Sequence, residues 1–312
     1  MSGILSGCVA LVANALLSFA VMSPATADPQ ARGPDMVDDI VVTGVSPEAI
    51  ERYVASLVVG RRRGQSVDQI ARWTDPLCVQ TIGGRHAANV AFSAQVTAAV
   101  QRFGVETRQG RCRPNVVVVA TQQPETFSRL FTDRYRVRYF QGRRAEYTPF
   151  LEASGPVRWG HSIEYNGANA TELDRVIGGT GFDARTIDLP NTRLKLSTAA
   201  SIRRTLIVID QTDIDDVPQE ALAAYVAFAA LVELPRDFDS VGQDSILNLF
   251  RKDGASHPLE PTPWDLAFVQ SVYASNGFVP ESVQRTAITN RMQRVLAQAG
   301  TVAAPDQTDL ER

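Results

Sequence analysis

The sequence predicts an α+β fold in which a sheet packs against a buried central helix and a further helix follows near the C-terminus. Residues 116–119 are four consecutive valines, which is typical of a strand buried on both faces of a parallel sheet. Residues 221–232 are unbroken apolar sequence, too short to span a bilayer, and therefore predict a helix buried on nearly all sides. Residues 87–103 have the apolar spacing of an amphipathic helix.

Local signals bound the other elements. Ser46-Pro47 begins a predicted helix that runs to about Val59 and follows a short strand at 40–44. Asp216, with Gln219 three residues later, has the spacing of a capping box and predicts a helix through Leu234. A further helix is predicted around 127–131, and strands are predicted at 73–82, 115–120, 156–164, 192–196 and 205–210.

Composition and the N-terminus indicate an exported protein. The chain has 312 residues, is 44% hydrophobic and 21% charged, and carries a net charge of −3, which argues against a nucleic-acid binder. Residues 8–21 form an apolar stretch that is followed by the small-residue triplet Ala25-Thr26-Ala27, the pattern that signal peptidase recognises. We expect cleavage after Ala27 and a soluble periplasmic or secreted product without a transmembrane segment.

Two cysteines, Cys78 and Cys112, remain after that cleavage. An even number of cysteines in an oxidising compartment predicts a disulfide. A right-handed crossover through the 87–103 helix would place the valine strand parallel to the 73–82 strand and bring the two cysteines together. A pair of buried thiols or a zinc site is the alternative, although neither cysteine has C-x-x-C spacing.

Two polar clusters are candidate sites. Asp210, Asp213, Asp215 and Asp216 follow a strand and precede a helix, so they either bind calcium, form an acid pair, or simply complement the helix N-terminus. Arg134, Arg136 and Arg138 alternate, which predicts a strand whose arginine face either binds an anion or is solvated.

The order of the elements resembles that of the zincin metallopeptidases in their metzincin form, and of a family of exported bacterial proteins built on the same plan. Those domains open with Arg-Trp and a strand, continue through a long helix and a mixed sheet, and then have a central helix with His-Glu-x-x-His. The corresponding pieces here are Arg72-Trp73, the helices at 87–103 and 221–232, Ser245-Ile246-Leu247-Asn248, and Thr262 to Tyr273. The sequence predicts a signal peptide over 1–27, an arm and strand-helix segment over 28–66 and a disordered tail over 300–312. The resemblance implies a zincin-like domain over 67–276 followed by a C-terminal helix over 277–299.

The zinc motif itself is missing from the central helix. Zinc requires histidines at i and i+4 with a glutamate between them, and the aligned positions hold Tyr225, Val226, Ala227, Phe228 and Ala229. The only histidines in the sequence are His86, His161 and His257, and no two of them share a helix or a strand at suitable spacing. We therefore expect no bound metal and no cofactor.

The resemblance implies a cleft beside the central helix, with a strand from the 156–196 region along its rim. Candidate cleft residues are Tyr225, Val226, Ala229, His161 and Asp210. The predicted function is non-catalytic binding of a peptide or a cell-envelope protein, since strand addition needs only backbone groups and side-chain pockets. The alternative is a hydrolase that uses Asp210, Asp213 and His161 without zinc.

Export is testable by the intact mass of the protein recovered from its native host. We expect a mature chain that begins at Asp28. A chain that begins at Met1, or one that carries lipid on Cys8, would contradict this prediction.

Overall fold

The valine-rich strand lies inside a five-stranded mixed sheet. A computed structural model describes residues 46–58, 69–108, 110–167, 196, 198–214, 216–235, 238, 242–251 and 257–299. The predicted signal peptide, the arm, the strand at 40–44, the tail and, apart from Leu196, the strand at 192–196 lie outside the described residues. Within the described residues the strands are β1 (Arg72–Trp73), β2 (Val79–Ile82), β3 (Val116–Thr121), β4 (Val157–Gly167) and β5 (Thr198–Asp210).

Parallel pairing dominates the sheet. β3 lies between β2 and β5 and is parallel to both, with Val118 opposite Thr81 on one side and Ile207 on the other. β1 is parallel to β5, whereas β4 runs antiparallel to β5 along nearly its whole length and has an irregularity between Ser162 and Ile163. The predicted α+β class and buried valine strand are therefore confirmed.

Helices cover both faces of this sheet. The described α-helices are α1 (Pro47–Leu57), α2 (His86–Arg102), α3 (Pro124–Phe140), α4 (Arg144–Glu152), the central helix α5 (Gln219–Leu231), α6 (Pro263–Ala274) and α7 (Glu281–Gln298), with a 3₁₀ turn over Ile246–Phe250 between α5 and α6.

The larger core lies between the sheet and α5. All eleven residues from Ala221 to Leu231 are buried, which confirms the prediction drawn from the unbroken apolar run. Ile50 of α1 and Ile288 of α7 belong to the same core, so the helices at both ends of the described chain pack with the central domain. A smaller core on the other face joins α3 and α4 to β3 and β5 through Val119, Phe140, Phe150, Leu206 and Val208.

A disulfide links Cys78 and Cys112, whose Cα atoms are 6.1 Å apart. The Cys78 carbonyl accepts hydrogen bonds from the backbone N–H groups of Asn115 and Val116, and the Asn115 side chain accepts one from the Cys78 N–H. These hydrogen bonds hold the N-terminal end of β2 against the N-terminal end of β3. The predicted pairing follows from this parallel neighbourhood and is confirmed.

The single strand predicted at 73–82 is wrong. The structure has two short strands there, and they have different partners: β1 pairs with β5 and β2 pairs with β3. Pro76 lies between them and has no backbone N–H to donate, so the ladder is interrupted where the chain changes partner.

The strand predicted from Arg134, Arg136 and Arg138 is also wrong, because all three arginines lie in α3. The alternation has period two, but Phe127, Phe131, Tyr135 and Tyr139 recur every four residues. Their rings contact one another along the helix, with centroids 5.9 Å apart for Phe127 and Phe131 and 4.9 Å apart for Phe131 and Tyr139. Packing of this aromatic row therefore favours a helix over a strand in this segment.

The capping box predicted at Asp216 does not form. α5 begins at Gln219, its N-cap is Pro218, and no side chain caps it. A residue that precedes proline is disfavoured in the helical conformation, so Val217 cannot extend the helix towards Asp216.

Truncation of Phe228 tests whether α5 is the centre of the core. Phe228 is fully buried and contacts the rings of Phe103 and Phe268 at centroid distances of 5.7 and 6.0 Å. We expect Phe228→Ala to lower the free energy of unfolding by about 3 to 5 kcal/mol in urea titrations. Leu130→Ala is the matched control, because Leu130 is 66% exposed on α3 and should change stability by less than about 0.5 kcal/mol. Equally small losses of unfolding free energy in the two variants would show that α5 is not the centre of the core.

Candidate functional site

Four of the five predicted cleft residues, Tyr225, Val226, Ala229 and His161, lie where α5 meets β4 and the 3₁₀ turn. Val226 and Ala229 are fully buried within the main core. Tyr225 is also buried, and its ring packs edge-on against Phe250 with centroids 4.9 Å apart. The helix positions that the resemblance assigns to zinc ligands and to the general base are therefore filled by core side chains.

The last turn of α5 has backbone carbonyls that the helix itself cannot satisfy, because the final carbonyls of a helix have no intrahelical donors. Trp73 Nε1 donates to the Ala230 carbonyl at 2.8 Å. The Tyr273 hydroxyl donates to the Leu231 carbonyl at 3.0 Å. His161 Nε2 lies 2.9 Å from the Ala229 carbonyl and must donate, which fixes the proton of a neutral ring on Nε2. Side chains from β1, α6 and β4 thus meet at one helix end.

Neighbouring groups support this arrangement. Burial raises the pKa of the Tyr273 phenol, so the hydroxyl keeps its proton and remains a donor. The Arg72 guanidinium donates to the carbonyls of Val272 and Ser275 at the C-terminal end of α6, where a cation also complements the helix dipole. The Arg-Trp pair thereby connects β1 to the ends of two buried helices.

A second buried polar cluster surrounds Asp265. Its carboxylate accepts hydrogen bonds from the hydroxyls of Tyr53 and Ser245 at 3.1 and 2.6 Å, and from the backbone N–H groups of Ile246 and Thr262 at 2.8 and 2.9 Å. Thr262 and Asp265 form the capping box of α6. Burial raises the pKa of Asp265, and the hydrogen bonds from Ser245, Ile246 and Thr262 oppose that rise. The cluster connects α1, the 3₁₀ turn and α6, and its donors leave no acceptor position open towards solvent.

Asp210 lies far from the other cleft candidates. It ends β5, and its Oδ1 accepts hydrogen bonds from the Thr212 N–H and hydroxyl at 3.0 and 2.7 Å, which forms a local turn. His161 on β4 is opposite Thr205 of β5. Thr205 precedes Asp210 by five residues along β5, which separates the two positions by about 17 Å. The structure therefore does not bring Asp210 and His161 together, and Asp213 lies in the turn that follows Asp210.

Sequence reasoning missed the roles of Trp73, Tyr273 and Tyr53 as donors. Trp73 and Tyr273 were recognisable only as parts of a motif, and their acceptors are backbone atoms 157 and 42 residues away along the chain. The available signal was chemical, because an indole N–H or a phenol hydroxyl in a protein core needs a hydrogen-bond partner.

Comparison with protein-family models, with curated proteins and with solved structures found no match to this chain. Within the residues that the structure describes, no three His, Cys, Asp or Glu side chains are grouped to hold a metal ion. No helix among those residues combines the length and hydropathy needed to cross a bilayer.

Tyr273→Phe tests the satisfaction of the helix end. The variant keeps the half-buried ring but leaves the carbonyl of the buried Leu231 without its donor, so we expect a loss of about 1 to 3 kcal/mol in urea titrations at neutral pH. Tyr135→Phe removes a hydroxyl from a side chain that is 43% exposed and should change stability by less than about 0.5 kcal/mol. An equally small effect at Tyr273 would show that this hydrogen bond does not support the helix.

The same pair of proteins gives a pH test. Because the pKa of Tyr273 is raised in the folded state, the unfolded phenol ionises first, and its contribution to stability is lost as the pH rises above about 10. Tyr273→Phe lacks that phenol, so the stability difference between wild type and variant should narrow as the pH rises above this value. A constant difference across this range would contradict the assigned burial of the hydroxyl.

Proposed function

We propose that this chain is an exported, non-catalytic protein with a zincin-like scaffold, which binds a peptide or a cell-envelope protein. The observation that carries the proposal is the packing of Tyr225, Val226 and Ala229. Metal-dependent hydrolysis requires a Lewis acid and an activated water at these positions, and the side chains here supply neither a ligand nor a base.

The structural roles of the motif residues support the same proposal. Trp73 and Tyr273 satisfy carbonyls at the end of α5, while Ser245 and Asp265 hold the 3₁₀ turn against α6. These contacts stabilise the scaffold whether or not a metal is bound. A chain can therefore keep this order of motifs after the histidines are gone.

The position of β4 supports a binding role for the surface beside α5. β4 runs antiparallel to β5. Its His161 side chain donates to the Ala229 carbonyl in the last turn of α5, and its Trp159 side chain donates to the Leu234 carbonyl in the segment that follows that helix. The resemblance implies that an antiparallel strand in this place forms the rim along which an extended peptide lies. Such recognition uses backbone groups and side-chain pockets, so it does not require the missing zinc ligands.

Export is part of the proposal and is supported by the Cys78–Cys112 disulfide. Disulfides form and persist in oxidising compartments such as the periplasm or the extracellular medium, and are rare in the cytosol.

Metal content and peptidase activity test the non-catalytic claim. We expect protein purified without chelators to contain well below one equivalent of zinc by elemental analysis, and to cleave no generic peptide library. One equivalent of tightly held zinc, or hydrolysis that a chelator abolishes and zinc restores, would contradict the proposal. Hydrolysis that is insensitive to chelators and lost in Asp210→Asn would favour the alternative acid/base enzyme.

Site-specific crosslinking tests the binding claim. A photo-reactive phenylalanine analogue in place of Glu164, which is exposed on β4, should capture a defined partner in intact cells. The same analogue in place of Val283, which is 44% exposed on α7, is the matched control and should not capture it. Capture of the same partner from both positions, or from neither, would contradict a binding surface at β4.

A further inference from the structure

The exposed side of α3 carries the strongest concentration of positive charge in the described structure. Residues 129–144 contain six arginines and a single acidic residue, Asp133, in a chain whose net charge is −3. All six are exposed: Arg129, Arg134, Arg136 and Arg138 lie in α3, and Arg143 and Arg144 follow it at the start of α4. We call this surface, together with the apolar side chains described next, the α3 face.

Large apolar side chains lie among these arginines. Leu130 and Val137 are 66% and 57% exposed. They are seven residues apart, which is two helical turns, and therefore lie on the same side of α3. At about 100° per residue, Asp133 and Arg134 lie directly on either side of this pair. The other arginines of the helix lie farther around it, Arg129 and Arg136 beyond Asp133 and Arg138 beyond Arg134, so four cations and one carboxylate border the apolar centre.

The arginines of the α3 face have no carboxylate ion-pair partners among the described residues, and Glu125 at the start of the helix is already paired with Arg158. Arg138 also lies close enough to Arg204 to help lower the pKa of that half-buried guanidinium, an effect that comes second to burial. Uncompensated like charges of this kind favour an anionic partner.

The inner side of α3 fixes this orientation. Ser128 and Thr132 are buried, and Phe127 and Phe131 pack against the smaller core. The Ser162 hydroxyl on β4 donates to the Arg138 carbonyl at 3.1 Å, which holds the C-terminal part of the helix on the sheet. The 17-residue helix therefore presents a rigid exposed surface about 25 Å long.

We propose that the α3 face is a peripheral docking surface for an anionic lipid bilayer. Guanidinium groups bind phosphates through paired hydrogen bonds, and an apolar line flanked by cations suits the boundary between headgroups and acyl chains. Leu130 and Val137 are exposed on the convex surface of a helix, from which they can insert among lipid headgroups. This inference is independent of the proposed peptide-binding surface at β4.

Vesicle binding tests the proposal with the purified, disulfide-intact protein. We expect co-sedimentation with vesicles that contain phosphatidylglycerol, little with pure phosphatidylcholine, and a loss of binding at high salt. Arg134→Gln with Arg136→Gln should weaken the partition coefficient at least about tenfold, since each arginine near an anionic surface contributes about fivefold. Leu130→Ser with Val137→Ser should weaken it severalfold through lost apolar burial.

The matched control is α7, which packs against α1 and α6 and also has exposed arginines. Arg291→Gln with Arg294→Gln should leave vesicle binding unchanged. Inorganic phosphate as competitor distinguishes a simple anion site from a bilayer surface: displacement by phosphate beyond the effect of equal ionic strength would overturn the lipid proposal. An equal loss of binding in the α7 variant would also overturn the lipid proposal. An absence of binding to anionic vesicles would overturn it as well, and would make an acidic protein the better candidate partner.

A fluorescence measurement locates the contact. The three native tryptophans, Trp73, Trp159 and Trp264, are buried, so Leu130→Trp adds an exposed reporter. Anionic vesicles should shield this tryptophan from an aqueous quencher and shift its emission to the blue. The matched Val283→Trp variant on α7 should stay accessible, and shielding at both positions would contradict docking through the α3 face.

Discussion

The structure depends on the satisfaction of carbonyl groups at the C-terminal end of the central helix. α5 is buried on every side, so water is not at hand for the carbonyls that the helix leaves without donors. Trp73, Tyr273 and His161 provide those donors from three elements that are remote in sequence. Because an unsatisfied buried carbonyl is costly, these hydrogen bonds fix where β1, β4 and α6 lie relative to α5.

The hydrogen bonds at the helix ends do not depend on the zinc chemistry that the resemblance implies. The Arg-Trp pair and the final Tyr belong to the resemblance, yet here they act on helix ends. The Asp265 cluster acts in the same way, because it joins α1, the 3₁₀ turn and α6. None of these contacts uses the side chains of Tyr225, Val226 and Ala229. The proposed loss of catalysis with retention of the fold follows from that independence.

Much of the fold could be predicted, because burial leaves a direct trace in sequence. The valine run and the apolar run over 221–232 correspond to β3 and α5, and the cysteine pair followed from parallel neighbours. Prediction failed where tertiary packing decides between local patterns. Alternating arginines indicated a strand, while the aromatic row that packs α3 has helical spacing. The other two errors, the single strand at 73–82 and the capping box at Asp216, both lie beside prolines. Pro76 has no backbone N–H for the sheet, and Pro218 disfavours the helical conformation at the residue before it.

The site was less predictable than the fold. Its central contacts join side chains to backbone carbonyls, and an acceptor that every residue possesses leaves no signal in sequence. The predicted cleft residues also lie in two separate places: His161 and Ala229 are in contact, whereas Asp210 lies at the far end of β5. Grouping them required the register of β4 against β5, which only the structure supplies.

Native-state hydrogen exchange of the α5 backbone amides tests the central claim most directly. If the helix is held at its end by Trp73, Tyr273 and His161, the amides from Leu222 to Leu231 should exchange only through global unfolding. Trp73→Phe should then lower their protection by the same free energy as it lowers global stability. Exchange of the last turn through local opening, with no response to Trp73→Phe, would contradict the account.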